Sequence, residues 1–129
     1  MSYLLDADWV ISFLNGRPNA VQLVEKLANR GLAISIITWG EVYEGLIGLP
    51  SFARHMVAFE ELTATTEIIS LDTEVARRYA VIRSDLRSRG LLLADNDLWI
   101  AATALARDLT LVSRDQHFER IPGLKLHQG

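Results

Sequence analysis

The chain has 129 residues, half of them hydrophobic and 22% charged, which suits a single domain over residues 1–129 with a buried core and excludes a disordered polar chain. It contains no cysteine, so disulfides and thiolate metal sites are excluded, and His55, His117 and His127 are too scattered for zinc-ligand spacing. The net charge of −3 argues at first sight against a nucleic-acid partner.

Taken in chain order, Tyr3-Leu4-Leu5 reads as a short buried strand. Asp8 is placed to cap a helix from Trp9 to about Leu14, which Gly16-Arg17-Pro18 breaks. Val21, Leu23, Val24, Leu27 and Ala28 follow helical spacing up to Gly31, and Ala33 to Ile37 reads as the second strand. Thr38-Trp39-Gly40-Glu41 matches a capping box that opens a third helix, ending near Gly48-Leu49-Pro50. Ser51 begins a fourth helix to about Leu62, whose segment from Phe52 to Phe59 reads as an exposed apolar stretch suited to dimerisation.

Glu67 to Leu71 reads as the third strand, and Asp72 caps a long helix to about Arg89 with Val75, Tyr79, Ile82 and Leu86 on its inner stripe. A helix of apolar body follows from Asp97 to Arg107, then a strand at Thr110-Leu111-Val112 and a short one at Leu124 to Leu126. Strands alternating with helices imply a three-layer α/β/α sandwich with a mainly parallel sheet of four to five strands. No segment is long and apolar enough to span a membrane, and the N-terminus has no basic region before Asp6. A cytoplasmic protein without a signal peptide is expected.

Four acidic residues carry the chemistry. Asp6, Glu41 and Asp115 each stand just beyond an apolar run, and Asp97 opens the most apolar helix. A parallel sheet gathers its strand ends at one edge, so the four groups are expected to meet there. Packed carboxylates repel one another, and a divalent cation is the usual remedy. Oxygen ligands without histidine or cysteine select Mg²⁺, with Mn²⁺ also possible. Each acid also has a structural explanation: Glu41 closes the capping box, Asp115 caps the turn into Phe118, and Asp97 suits a helix dipole. Asp8 and Asp95 are further acids, read as caps or as groups behind the ligands, and Ser113 is placed to hydrogen-bond a metal-bound water.

With the four carboxylates set aside, twelve acidic residues face thirteen basic ones, and eleven of those are arginine, the better phosphate ligand. Arg77, Arg78, Arg83, Arg87 and Arg89 cluster in one segment and are candidate guides for a phosphodiester backbone, or else a solvated helix face.

Tyr3-Leu4-Leu5-Asp6 and Ile37-Thr38-Trp39-Gly40-Glu41, with Tyr43 and Gly45, resemble the first two acidic motifs of PIN-domain ribonucleases. Asn96-Asp97-Leu98-Trp99-Ile100-Ala101-Ala102 and Leu111-Val112-Ser113-Arg114-Asp115 are similar to the third and fourth. The closing His117-Phe118-Glu119-Arg120-Ile121-Pro122-Gly123-Leu124 is similar to the tail of the VapC toxins. The resemblance implies a Mg²⁺- or Mn²⁺-dependent RNA endonuclease, usually dimeric and held inactive by a VapB-type antitoxin, with Asp6, Glu41, Asp97 and Asp115 as catalytic metal ligands. The chain departs from the family in having Ala7-Asp8 where Thr-Asn is frequent.

Two rivals stand beside it. Leu4-Leu5-Asp6-Ala7-Asp8 fits the signature of a haloacid-dehalogenase-type phosphatase with Asp6 as nucleophile and Asp8 as acid/base, yet neither Lys26 nor Lys125 follows a core strand. The other is a PIN-like module that binds partners without catalysis.

Overall fold

The computed structural model describes residues 2–129. Its elements run β1 (Tyr3–Leu5), α1 (Ala7–Leu14), α2 (Pro18–Ala28), β2 (Leu32–Ser35), α3 (Ile36–Leu46), α4 (Phe52–Ala64), β3 (Glu67–Ile69), α5 (Thr73–Ser88), α6 (Asp95–Ala106), β4 (Thr110–Val112), a 3₁₀ turn (Gln116–Arg120) and β5 (Leu126–His127). The five strands form one sheet in the order β3-β2-β1-β4-β5, and every neighbouring pair is parallel.

Strand residues alternate between two cores, as the pleat requires. Tyr3, Leu5, Ile34 and Val112 face the helices α1 to α4, packing on Val10, Leu27, Val42 and Phe59. Leu4, Ala33, Ile69 and Leu111 face α5, α6 and the 3₁₀ turn, packing on Val75, Leu86, Leu98 and Phe118. The result is the three-layer α/β/α sandwich expected from the strand and helix order.

Several element boundaries differ from the sequence expectations. Asp6, not Asp8, caps α1: its carboxylate accepts from the Ala7 amide at 2.8 Å. Asp6 thereby ends the strand and starts the helix with no linker between them. The second strand stops at Ser35, whose hydroxyl accepts from the Ile37 amide and opens α3. Ile36 and Ile37 therefore belong to a helix despite their β-branched side chains, and Glu41 lies in its second turn rather than at a capping box. The fifth strand is Leu126–His127.

The Phe52–Phe59 stretch is not an exposed apolar surface. His55 and Phe59 are buried, Phe52 and Met56 pack against the core, and only Val57 among its large apolar side chains is widely exposed. His55 fastens α4 to α1, its ring nitrogens lying 3.1 Å from the Ser51 carbonyl and from the Asn15 side-chain oxygen. Among the described residues no helix is long and apolar enough to cross a membrane.

Chain order and strand order together locate the switch point. The chain builds outward from β1 through β2 to β3, then returns across the sheet to lay β4 on the other side of β1. Adjacent loops on the two sides of that reversal diverge and leave a crevice at the carboxyl ends of β1 and β4.

Phe118 lies almost wholly buried beneath this edge in the second core. Phe118→Ala is expected to cost about 3–5 kcal/mol of unfolding free energy, read from urea denaturation as a lower midpoint with an unchanged slope.

Candidate active site

At the switch point the carboxylate of Asp6, only 9% exposed, accepts the Ser113 hydroxyl at 2.7 Å on one oxygen and the Ala7 amide at 2.8 Å on the other. Ser113 lies just past β4, and its oxygen also accepts the Asp115 amide at 3.1 Å. Asp115 in turn caps the 3₁₀ turn by accepting the His117 amide at 2.9 Å. One chain of hydrogen bonds thus ties the end of β1 to the loop after β4. The remaining lone pairs of Asp6 are left for a third partner.

Glu41 reaches the same edge from the second turn of α3, and the Asn96 side-chain amide donates to it at 3.5 Å. Asp97 stands in the first turn of α6. The electrostatics show these groups to be neighbours. Burial raises the Asp6 carboxyl above the ordinary carboxylate range; the Ser113 and Ala7 hydrogen bonds oppose it, and the charges of Asp8 and Asp115 add to it. Burial likewise raises Glu41, with Asn96 opposing and Asp6, Asp97 and Asp8 contributing repulsion. Asp97 is pushed furthest, up to about 6, by burial first and then by Asp6 and Asp115, with His117 pulling the other way.

Asp6 acts on both Glu41 and Asp97, and Asp115 acts on Asp6 and Asp97, so each of these acids feels the charge of at least one other. Asp8 adds its charge from the exposed first turn of α1. Asp95 is turned elsewhere: it accepts the Tyr79 hydroxyl at 3.1 Å and lies 3.6 Å from Arg83 on α5. Two residues quoted in the motifs were given no role there: Asn96, which donates to Glu41, and His117, which lies 3.2 Å from Asp115, where its spacing of two was the available signal.

Among the described residues no lysine or arginine is ion-paired with Asp6, Asp8, Glu41 or Asp97. Among the same residues, no three acidic or histidine groups stand close enough together to hold a metal ion. The donor set nonetheless fits a hard divalent cation. Raised carboxyl groups without a protein counter-ion are the condition that such an ion relieves. A cleft of about 470 Å³ lined by Asp8, Ile37, Glu41, Glu44 and Asn96 opens beside them. A larger hollow of about 710 Å³ between Val81, Leu105 and Pro122 holds none of these acids, so the chemistry points to the smaller cleft.

The family model described as the PIN domain matches residues 3–124. A Rickettsia felis protein named Ribonuclease VapC2 is 30% identical over 131 residues, covering 98% of this chain and 96% of the relative. Ribonuclease VapC1 of Haemophilus influenzae is 28% identical over 128 residues, covering 97% and 96%. Among solved structures, VapBC2 from Rickettsia felis bound to a DNA fragment from their promoter superposes with a TM-score of 0.90 at 29% identity over 98% of both chains. The parallel five-stranded sheet and its flanking helices are those of a PIN domain. The chain belongs to the PIN-domain family and, within it, to the VapC ribonucleases.

The raised Asp97 carboxyl means that the folded protein holds this proton more tightly than the unfolded chain. Its contribution to stability is therefore full below the ordinary value of 3.8, declines as pH rises towards about 6, and is flat above that. Asp97→Asn is expected to be more stable than the parent at pH 7 without metal, by about 1 kcal/mol once solvent screening of a half-exposed group is allowed for. Thermal melts at pH 4 and pH 7 in chelator check this, since the gain should vanish at the lower pH.

Proposed function

We propose that the chain is the toxin of a type II toxin–antitoxin pair, an endoribonuclease dependent on Mg²⁺ or Mn²⁺ and working in the cytoplasm. The observation that carries it is that Asp6, Glu41 and Asp97 are all raised by burial first, with Asp6 adding repulsion to both of the others, while among the described residues no lysine or arginine is ion-paired with them. Relatives named Ribonuclease VapC, alike over almost the whole chain, support RNA as the substrate. Solved relatives described as VapBC assemblies support a VapB-type antitoxin as the partner. A homodimer is part of the same proposal.

Asp6, Glu41, Asp97 and Asp115 would hold the ion, which when bound supplies a Lewis acid that activates water and offsets charge on the phosphate and the leaving oxygen. The protein's own contribution is orientation. Ser113 fixes the rotation of the Asp6 carboxylate and, through the Asp115 amide, the position of the neighbouring acid. Asn96 holds Glu41 in the same way from α6. Asp115, which caps the 3₁₀ turn with the His117 ring 3.2 Å away, is assigned to orient or deprotonate the attacking water.

Asp6→Asn removes charge without volume, so cleavage of an RNA substrate in Mg²⁺ should drop by about 100- to 1000-fold or more while circular dichroism is unchanged. Full activity in that variant, or in wild-type protein with EDTA, would overturn the metal-site assignment. Ser113→Ala leaves every proposed ligand in place and should lose about 10–100-fold, because it frees Asp6 to rotate.

A further inference from the structure

The arginine cluster of α5, the obvious guide for RNA, is largely occupied. Arg77 and Arg78 pair with Glu74, Arg83 with Asp95, and Arg89 with Asp85. An anionic substrate approaching a field of carboxylates needs a counter-charge nearer to them. Arg114 lies between Ser113 and Asp115, and its guanidinium carbon stands 3.7 Å from the centroid of the Trp9 ring. Trp9 is itself 4% exposed, three residues along α1 from Asp6. A guanidinium stacked on a buried indole keeps its plane fixed and its N–H edges free for a two-pronged acceptor.

Arg114 forms one wall of a cavity of about 460 Å³ completed by Trp9, Asn19, Gln22, Leu23, Lys26, Gln128 and Gly129, the last packed against the Trp9 ring. Two cations and three amide side chains line it, and among the described residues neither Arg114 nor Lys26 is in an ion pair. Ser113 orients Asp6 while Arg114, the next residue, turns onto Trp9, so one loop serves the acidic crevice and this basic cavity together.

Resting on the nuclease function proposed above, we infer that this cavity is a phosphate subsite. It takes a backbone phosphate of the RNA next to the one that is cut, with Arg114 as the forked ligand and Lys26 as a supporting charge. Trp9 is a positioning residue that sets the plane of the guanidinium. Contacts of this kind fix register on the backbone without reading sequence.

The test is binding of a labelled single-stranded RNA by fluorescence anisotropy, in the Asp6→Asn background so that nothing is cut, over a series of salt concentrations. Arg114→Gln should weaken binding about tenfold and lower the slope of log affinity against log salt by about 0.7, the share of one phosphate contact on a single strand. Lys26→Gln should act in the same direction and less. In cleavage by otherwise wild-type protein, Arg114→Gln should raise KM and leave kcat nearly unchanged. Should Arg114→Gln misfold, Arg114→Lys keeps the charge but not the fork, and should keep the salt slope while weakening binding. Unchanged affinity and slope in Arg114→Gln overturn the subsite. So does a variant that binds RNA normally but loses the antitoxin, which would make the cavity a protein-binding site. Wild-type protein that cuts RNA while Arg114→Gln matches it refutes the subsite alone; wild-type protein that neither binds nor cuts RNA refutes the nuclease function itself.

Discussion

The hydrogen bond from Ser113 to Asp6 at 2.7 Å is the contact on which the rest of the site depends. It crosses between β1 and β4, two strands more than a hundred residues apart in the chain and adjacent in the sheet. Pairing of Leu5 with Val112 brings the two strand ends level, and the next residues then have no choice but to meet. Asp6 must turn at once into α1, and Ser113 must turn into the loop that carries Asp115. A carboxylate this deeply buried is costly unless hydrogen-bonded, and the Ser113 hydroxyl and the Ala7 amide meet that requirement without neutralising it. The carboxylate thus keeps its remaining lone pairs open at the edge.

That retention sets a tension between folding and function. Each of the three raised carboxyl groups would be more comfortable protonated or mutated, and Asp97 more than the others. Elsewhere the fold handles acids conventionally: Asp72 caps α5 and meets Arg107, and Asp108 meets Lys125. Those exposed pairs contribute little to stability. Asp72 and Asp108 are lowered by their partners while Asp6, Glu41 and Asp97 are raised by burial, and that contrast separates the site from the background better than acidity alone.

The sequence revealed the strands because their apolar runs are uninterrupted and short, and the switch point followed from the alternation of strands and helices. It was less informative about where helices begin. Asp6 and Asp8 are equally good caps by residue type, and only the immediate turn after β1 decides for Asp6. Ile36 and Ile37 extend an apolar run past the real strand end, since β-branched residues in the first turn of a helix look like strand. That displaced Glu41 to a capping position it does not hold, although it reaches the acidic edge from the second turn of α3. Asp95 and Asp97 differ by two residues, and so by about 200° around a helix; one faces Tyr79 and the other faces the site. Such directions are set by packing between α5 and α6, which no local pattern encodes.

The same packing explains why composition misleads about the substrate. The arginines clustered between Arg77 and Arg89 were candidate backbone guides or else a solvated helix face, and α5 spends most of them on its own and neighbouring acids. Charge available to a phosphodiester is therefore a local quantity, defined by what each arginine already touches. By that measure Arg114, held over an indole instead of a carboxylate, counts for more than the whole α5 cluster. Its neighbours Ser113 and Asp115 organise the acidic crevice, so three consecutive residues after β4 place opposite charges on opposite sides of one loop. A net charge of −3 and a polyanionic substrate are compatible through the proposed subsite, because attraction is a local quantity and not an average over the chain.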